Sequence, residues 1–198
     1  MSRRPPGKPR LPGLPPDRLT GEQRAVYDAI AKGRRAEGPQ LFPLTEEDGR
    51  LRGPFNAMLL SPPVGGALQA LGSALRYESD LTARERELAI LVVAAHWGSA
   101  FEWEAHVAVG RHVGLTDAEI EAIRTGEPVP LDDEREAAVV AWVRELTSRW
   151  DVDDEAYARA EAVLGLRRAY ELSVLVGYYS TLALQLRVFA GERPPAAG

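Results

Sequence analysis

Read for the spacing of its apolar residues, the chain is helical from end to end. Leu88 to Ala95 is apolar on every side, which marks a helix buried all round rather than one lying on a surface. Ala137, Val140, Trp142, Val143 and Leu146 recur at helical spacing after Asp132 and Asp133, and Asp153 and Asp154 precede another such stretch, Tyr157 to Leu164. Leu166 to Phe189 is a long helical run closed by Gly191, Pro194 and Pro195. No segment alternates apolar and polar residues between turn residues at hairpin spacing.

Helix starts are written in a recurring device. Thr20 is followed three residues on by Gln23, Thr82 by Glu85 and Thr116 by Glu119, each a capping box in which hydroxyl and later side chain satisfy free backbone N–H groups. Ser61 before Pro62 fits an N-cap with proline at the first helical position. The pattern predicts an all-α protein, one domain of roughly seven or eight helices spanning 18–192. Residues 1–17 form a flexible Pro-rich tail and 193–198 a short C-terminal one. The long connection from Gly33 to Pro54 either serves the function or wraps a neighbouring subunit.

Composition removes whole classes of function. The chain of 198 residues has no cysteine, which excludes disulfides, thiolate metal sites and cysteine nucleophiles together. Its net charge of −5, with no basic patch beyond the tail from Arg3 to Arg10, argues against a nucleic-acid partner. The N-terminus lacks the apolar core of a secretory signal. The longest uninterrupted apolar run, Leu88 to Ala95, is too short to span a membrane. The expectation is a cytoplasmic enzyme or binding protein without metal or cofactor.

The chemistry concentrates between Leu81 and Leu115. Ser99, Glu102 and His106 fall at i, i+3 and i+7 and share one helical face. His106 suits general acid–base work, and Glu102, one turn earlier, is placed to orient its imidazole; the bland alternative is a histidine satisfied in a subunit interface. Glu87, at the entrance of an apolar helix, either relays protons to His106 or pairs with Arg84 or Arg86. Ser99 reads as a small packing residue, since no nucleophile elbow surrounds it. Phe101 and Trp103 either wall a small-molecule pocket or belong to the core. His96 and His112 form no metal-binding spacing with Glu102 and His106 and read as structural or exposed. Glu171, Tyr178 and Gln185 recur every seven residues on the late helix, more in keeping with a subunit contact than with a pocket wall.

These words resemble a known family. Thiol-dependent alkylhydroperoxidases of the carboxymuconolactone decarboxylase superfamily carry a glutamate, two cysteines and a histidine at the spacing of Glu87, Ser99, Glu102 and His106, so serine and glutamate stand where those enzymes have cysteine. RERELAIL, FEWEAH, GRLRGPFNAMLLSP and the late ELSVLVGYYSTLALQLRVF are similar to cysteine-free relatives, and the likeness runs from Leu11 onward. A peroxidase cycle needs an attacking thiolate and a resolving thiol, so that activity is excluded.

The resemblance implies an AhpD-like fold and a lyase acting by decarboxylation or isomerisation through an enolate, on a small oxygenated, carboxylated or lactone substrate. His106, Glu87 and Glu102 would be its catalytic residues, with Ser99, Phe101, Trp103 and Asn56 about the substrate. Asn56 lies in a stretch resembling a family loop beside the pocket, where an amide binds a substrate carbonyl or caps the next turn. The resemblance also implies a homo-oligomer, trimer or hexamer. Two alternatives stand beside this reading: a catalytically silent binding or scaffold oligomer, and an enzyme of a specialised pathway using the same site.

Overall fold

The computed structural model describes residues 10–37 and 40–192, which carry eight α-helices. They are α1 (Gly21–Ala31), α2 (Phe55–Met58), α3 (Pro62–Tyr77) and α4 (Ala83–Trp97), then α5 (Ala100–His112), α6 (Asp117–Thr125), α7 (Glu134–Arg149) and α8 (Asp154–Gln185). No strand occurs among the described residues; one isolated bridge pairs Thr45 with Leu51. The protein is all-α.

Local chemistry sets the helix ends. All three capping boxes close in both directions, starting α1, α4 and α6. Asp133 and Asp153 accept backbone N–H groups at the starts of α7 and α8. Ser61 precedes α3, but its side chain makes no capping bond. Gly165, with φ of 77° and ψ of 156°, breaks α8 between the two stretches read from the sequence. Past Gln185 the coil widens into a π-helical turn, Leu186–Ala190.

Because α4 is apolar on every side, it takes the centre. Leu88, Ala89, Ile90, Leu91 and Val93 are wholly buried, and α5, α7 and α8 pack around them. Burial of this kind is worth about 25 cal/mol per Å2 of apolar surface removed from water, so the helix that buries all its faces anchors the domain.

The connection between α1 and α2 folds back on its own chain. It holds a 3-10 turn, Arg34–Ala36, and a short hairpin in which Arg52 N donates to Leu44 O and Glu46 N to Arg50 O. Leu44 and Leu51 are buried. The described part of the N-terminal segment is also tied down: Arg10 N and Leu11 N donate to Phe189 O, and Leu14 N to Asn56 Oδ1. Residues 1–9, including the basic Arg3, and residues 193–198 lie outside the described residues.

Counted as uninterrupted apolar runs, the chain has none of membrane-spanning length, yet α8 with its π-helical turn, Asp154–Ala190, is long and apolar enough by length and composition to span one. Half of its most apolar stretch is buried within the protein, as for a core helix.

Candidate active site

α4 and α5 are joined by a tight turn in which Gly98 N donates to Ala95 O and Ser99 N to Ala94 O. The turn sends α5 back along α4, and the hairpin brings His106 against Glu87. His106 Nδ1 lies 2.6 Å from Glu87 Oε2, and both side chains are buried. The Arg86 guanidinium stands 3.6 Å from the other carboxylate oxygen. Burial alone would raise the Glu87 carboxyl, but the charge and hydrogen bond of His106, with Arg86 and Arg76 behind them, hold it below the usual carboxylate range. An ionised carboxylate only accepts, so Nδ1 carries the proton and Nε2 is left for chemistry.

Glu102 has the opposite environment. It is 2% exposed and neither carboxylate oxygen has a hydrogen-bond partner. Burial pushes its carboxyl up to about 8; Ser99 beside it opposes the shift and the Glu192 carboxylate adds to it. At neutral pH it is a carboxylic acid. The carboxyls of these two glutamates on adjoining helices are thus pushed in opposite directions, Glu87 down by His106 and Arg86 and Glu102 up by burial.

Glu102 and His106 line one small cavity of about 30 Å3, walled by Phe42, Phe55, Phe101 and Leu182. Tyr179 meets the His106 ring edge-on at 5.2 Å, and Phe42 lies 6.3 Å from it. Burial and the nearby Glu87 charge raise the Tyr179 hydroxyl, so it stays neutral. Phe42 belongs to the connection between α1 and α2, which therefore covers the cavity of its own chain.

The structure brings together His106, Glu87, Glu102 and Phe101, sets Ser99 beside Glu102 but outside the cavity lining, and places Trp103 and Asn56 away from it. The partner of His106 is Glu87, not Glu102: at i, i+4 a side chain shares a face, but the bond is made across the hairpin. Ser99 is buried and donates to Glu192 Oε2 at 3.0 Å, while Phe101 N donates to Glu192 Oε1 at 2.5 Å. Glu192 so caps the start of α5, which Ser99 does not. Trp103 points to a separate open groove with Gly98 and Arg124. Asn56 spends its amide on Leu14 N and Pro12 O and does not line the cavity.

Tyr178 is buried and lines the cavity, so the repeat of Glu171, Tyr178 and Gln185 is not a single contact stripe. Glu171 instead holds Asp80 N and Arg167. Arg84 pairs with Glu119 and Glu136, leaving Arg86 to Glu87. His96 and His112 are exposed, and no group of three or more His, Asp or Glu among the described residues could hold a metal ion. Arg35, Arg76, Phe42, Tyr178 and Tyr179 were not assigned to the site from sequence; they come from elements distant along the chain, and only the apolar context of the paired tyrosines hinted at them.

The all-α bundle has the AhpD-like fold. Residues 62–145 match the Carboxymuconolactone decarboxylase family, so this part of the cysteine-free chain is similar to that family. An alkylhydroperoxidase AhpD core protein from Ralstonia eutropha JMP134, peroxidase-related and uncharacterized, superposes with a TM-score of 0.70 at 15% identity, covering 96% of this chain and 94% of that one. A protein of unknown function from Agrobacterium tumefaciens, classed with the antioxidant defence protein AhpD, gives 0.62 at 24% identity over 73% of this chain and 99% of its own. A cysteine-to-alanine variant of the debrominase Bmp8, in complex with 2,3,4-tribromopyrrole, gives 0.64 at 12% identity over 89% and 87%. At these identities the likeness shows the fold. No curated protein matches the sequence.

Proposed function

We propose that the protein is a cofactor-free enzyme of the carboxymuconolactone decarboxylase type. It acts by general acid–base chemistry, decarboxylating or isomerising a small oxygenated, carboxylated or lactone substrate through an enolate. The observation that carries this reading is the buried Glu87–His106 pair, whose histidine lines the same cavity as the buried Glu102 carboxyl.

In the decarboxylation, the bond between the substrate carbon and its carboxylate breaks and CO2 leaves. The electron pair is delocalised into the conjugated carbonyl as a dienolate. Glu102, as a neutral acid with no partner of its own, donates a hydrogen bond to the enolate oxygen, a role worth most in a buried setting. His106 in its protonated form delivers the proton from Nε2 to carbon, and the ionised Glu87 stabilises the imidazolium while the proton is held. Solvent restores that proton. In an isomerisation the neutral imidazole first removes the proton that it later returns.

The reading includes a homo-oligomer in the cytoplasm. Leu166, Tyr170, Leu184 and Val188 on α8 and its π-helical turn are exposed apolar side chains, which favours burial against other subunits. Sedimentation at micromolar concentration showing a monomer would overturn that part.

The test of the reaction is an assay with an unsaturated carboxymuconolactone, following loss of its absorbance and release of CO2 by wild type and by His106→Gln. Turnover that disappears in the variant supports the mechanism. Turnover retained in full removes His106 from it, and no turnover in the wild type removes the decarboxylation.

A further inference from the structure

Two arginines that the acid–base steps do not use face the His106 cavity. Arg35 stands in the 3-10 turn after α1 and Arg76 in the last turn of α3. With Phe42 they line both that cavity and an adjoining one of similar size. Arg35 Nε donates to Gln69 Oε1 at 3.2 Å, and its Nη2 side turns to the Tyr178 hydroxyl, with no carboxylate against it. Arg76 makes no salt bridge with any described residue. Glu87, whose carboxylate feels the Arg76 charge, is already held by His106 and Arg86.

A guanidinium is never deprotonated in a protein, and sheltering one without a counter-charge is costly. The backbone makes room for the arrangement. At Gly72, one turn before Arg76, a Cβ would collide with the Tyr178 hydroxyl and stand 2.6 Å from Arg35 Nη2. The Tyr178 hydroxyl is buried beside that guanidinium; burial keeps it neutral against the charge and hydrogen bond of Arg35. Two guanidinium groups and a buried phenol hydroxyl therefore converge beside His106.

We propose that Arg35, Arg76 and the Tyr178 hydroxyl form a subsite for a carboxylate of the substrate; the proposal rests on the acid–base reading of this same site. A planar carboxylate matches the guanidinium fork. A phosphate would favour helix N-terminal N–H groups, and at the start of α5 the Phe101 N–H is already taken by the Glu192 carboxylate. An ion pair stabilises a carboxylate relative to the CO2 it would become. The gripped carboxylate is consequently one the reaction keeps, and a decarboxylated substrate carries a second.

Calorimetric titration at neutral pH and low salt tests this with three probes: the saturated butyrolactone carboxylate, its methyl ester and inorganic phosphate. The acid is expected to bind about tenfold or more tightly than the ester, the scale of one charge-assisted pair. Arg76→Gln and Arg35→Gln should each lower acid affinity by a similar factor and leave the ester unchanged. Gly72→Ala should act as Arg35→Gln does. Equal binding of acid and ester, no binding of the acid, tighter binding of phosphate, or undiminished acid affinity in the arginine variants overturns the subsite. The comparison of acid with ester uses wild-type protein and holds even if a variant fails to fold. Because binding is read rather than turnover, His106→Gln separates the two proposals: it should still bind the acid while losing catalysis.

Discussion

His106 Nδ1 and Glu87 Oε2 are 2.6 Å apart across the α4–α5 hairpin, nineteen residues apart in sequence and both sealed from water. This pairing fixes which imidazole nitrogen is available, and it helps to hold the Glu87 carboxyl below the usual carboxylate range. Removing one partner leaves the other buried and unbalanced.

His106→Ala is accordingly expected to lose stability as well as turnover. Glu87 would retain only Arg86 at 3.6 Å, and a buried carboxylate deprived of its partner costs about 3 kcal/mol or more. The double variant Glu87→Gln/His106→Ala should regain part of that loss. Denaturant unfolding of the single and double variants checks it, and a His106→Ala protein as stable as wild type refutes the dependence.

Glu102 predicts a pH dependence of a particular sign. Its folded value, about 8, lies above the ordinary 4.5, so between those values the folded state holds a proton that the unfolded chain has released. Stability on this account falls as pH rises from 4.5 to 8 and is level above. Glu102→Gln should remove that slope and stabilise the protein at pH 7 by on the order of 3 kcal/mol, from ~2.5 pH units at ~1.4 kcal/mol each. Turnover that uses the protonated acid should decline above pH 8 in the wild type. Glu87, held low, contributes in the other direction: its share is present above the ordinary carboxylate value and is lost on acidification below it. Melting temperatures across pH 4 to 9 would show both slopes.

Gly53→Ala should damage the cavity wall from outside. Gly53 has φ of 56°, and a Cβ there would run into the Phe101 ring. A left-handed backbone forced on alanine plus a displaced ring is expected to cost about 1–3 kcal/mol. Thermal unfolding checks the loss; an unchanged midpoint would mean the loop yields freely.

Asn56→Ala should release the N-terminal segment rather than weaken substrate binding. Its amide joins Leu14 N and Pro12 O, and losing both bonds should speed proteolysis near residues 10–14. A raised KM with unaltered proteolysis would return Asn56 to the substrate.

The sequence by itself determined the elements. Capping boxes at Thr20, Thr82 and Thr116, the all-round apolar α4, and the Gly165 break are local features, since a hydroxyl three residues from its partner, or a glycine that alone tolerates a left-handed backbone, acts within one turn. Composition likewise settled the absence of thiols, and the motif marked Glu87, Glu102 and His106. Tertiary structure decided which of these meet. Helical spacing favoured Glu102 as the partner of His106, but the turn at Gly98 aligned α5 with α4 and gave that place to Glu87. It also set the two glutamates apart in charge, because protonation depends on burial and on neighbours far along the chain. Arg35 and Phe42 from the α1–α2 connection, Arg76 from α3 and Tyr178 from α8 join the cavity, and no local period records a contact made only when those three segments pack.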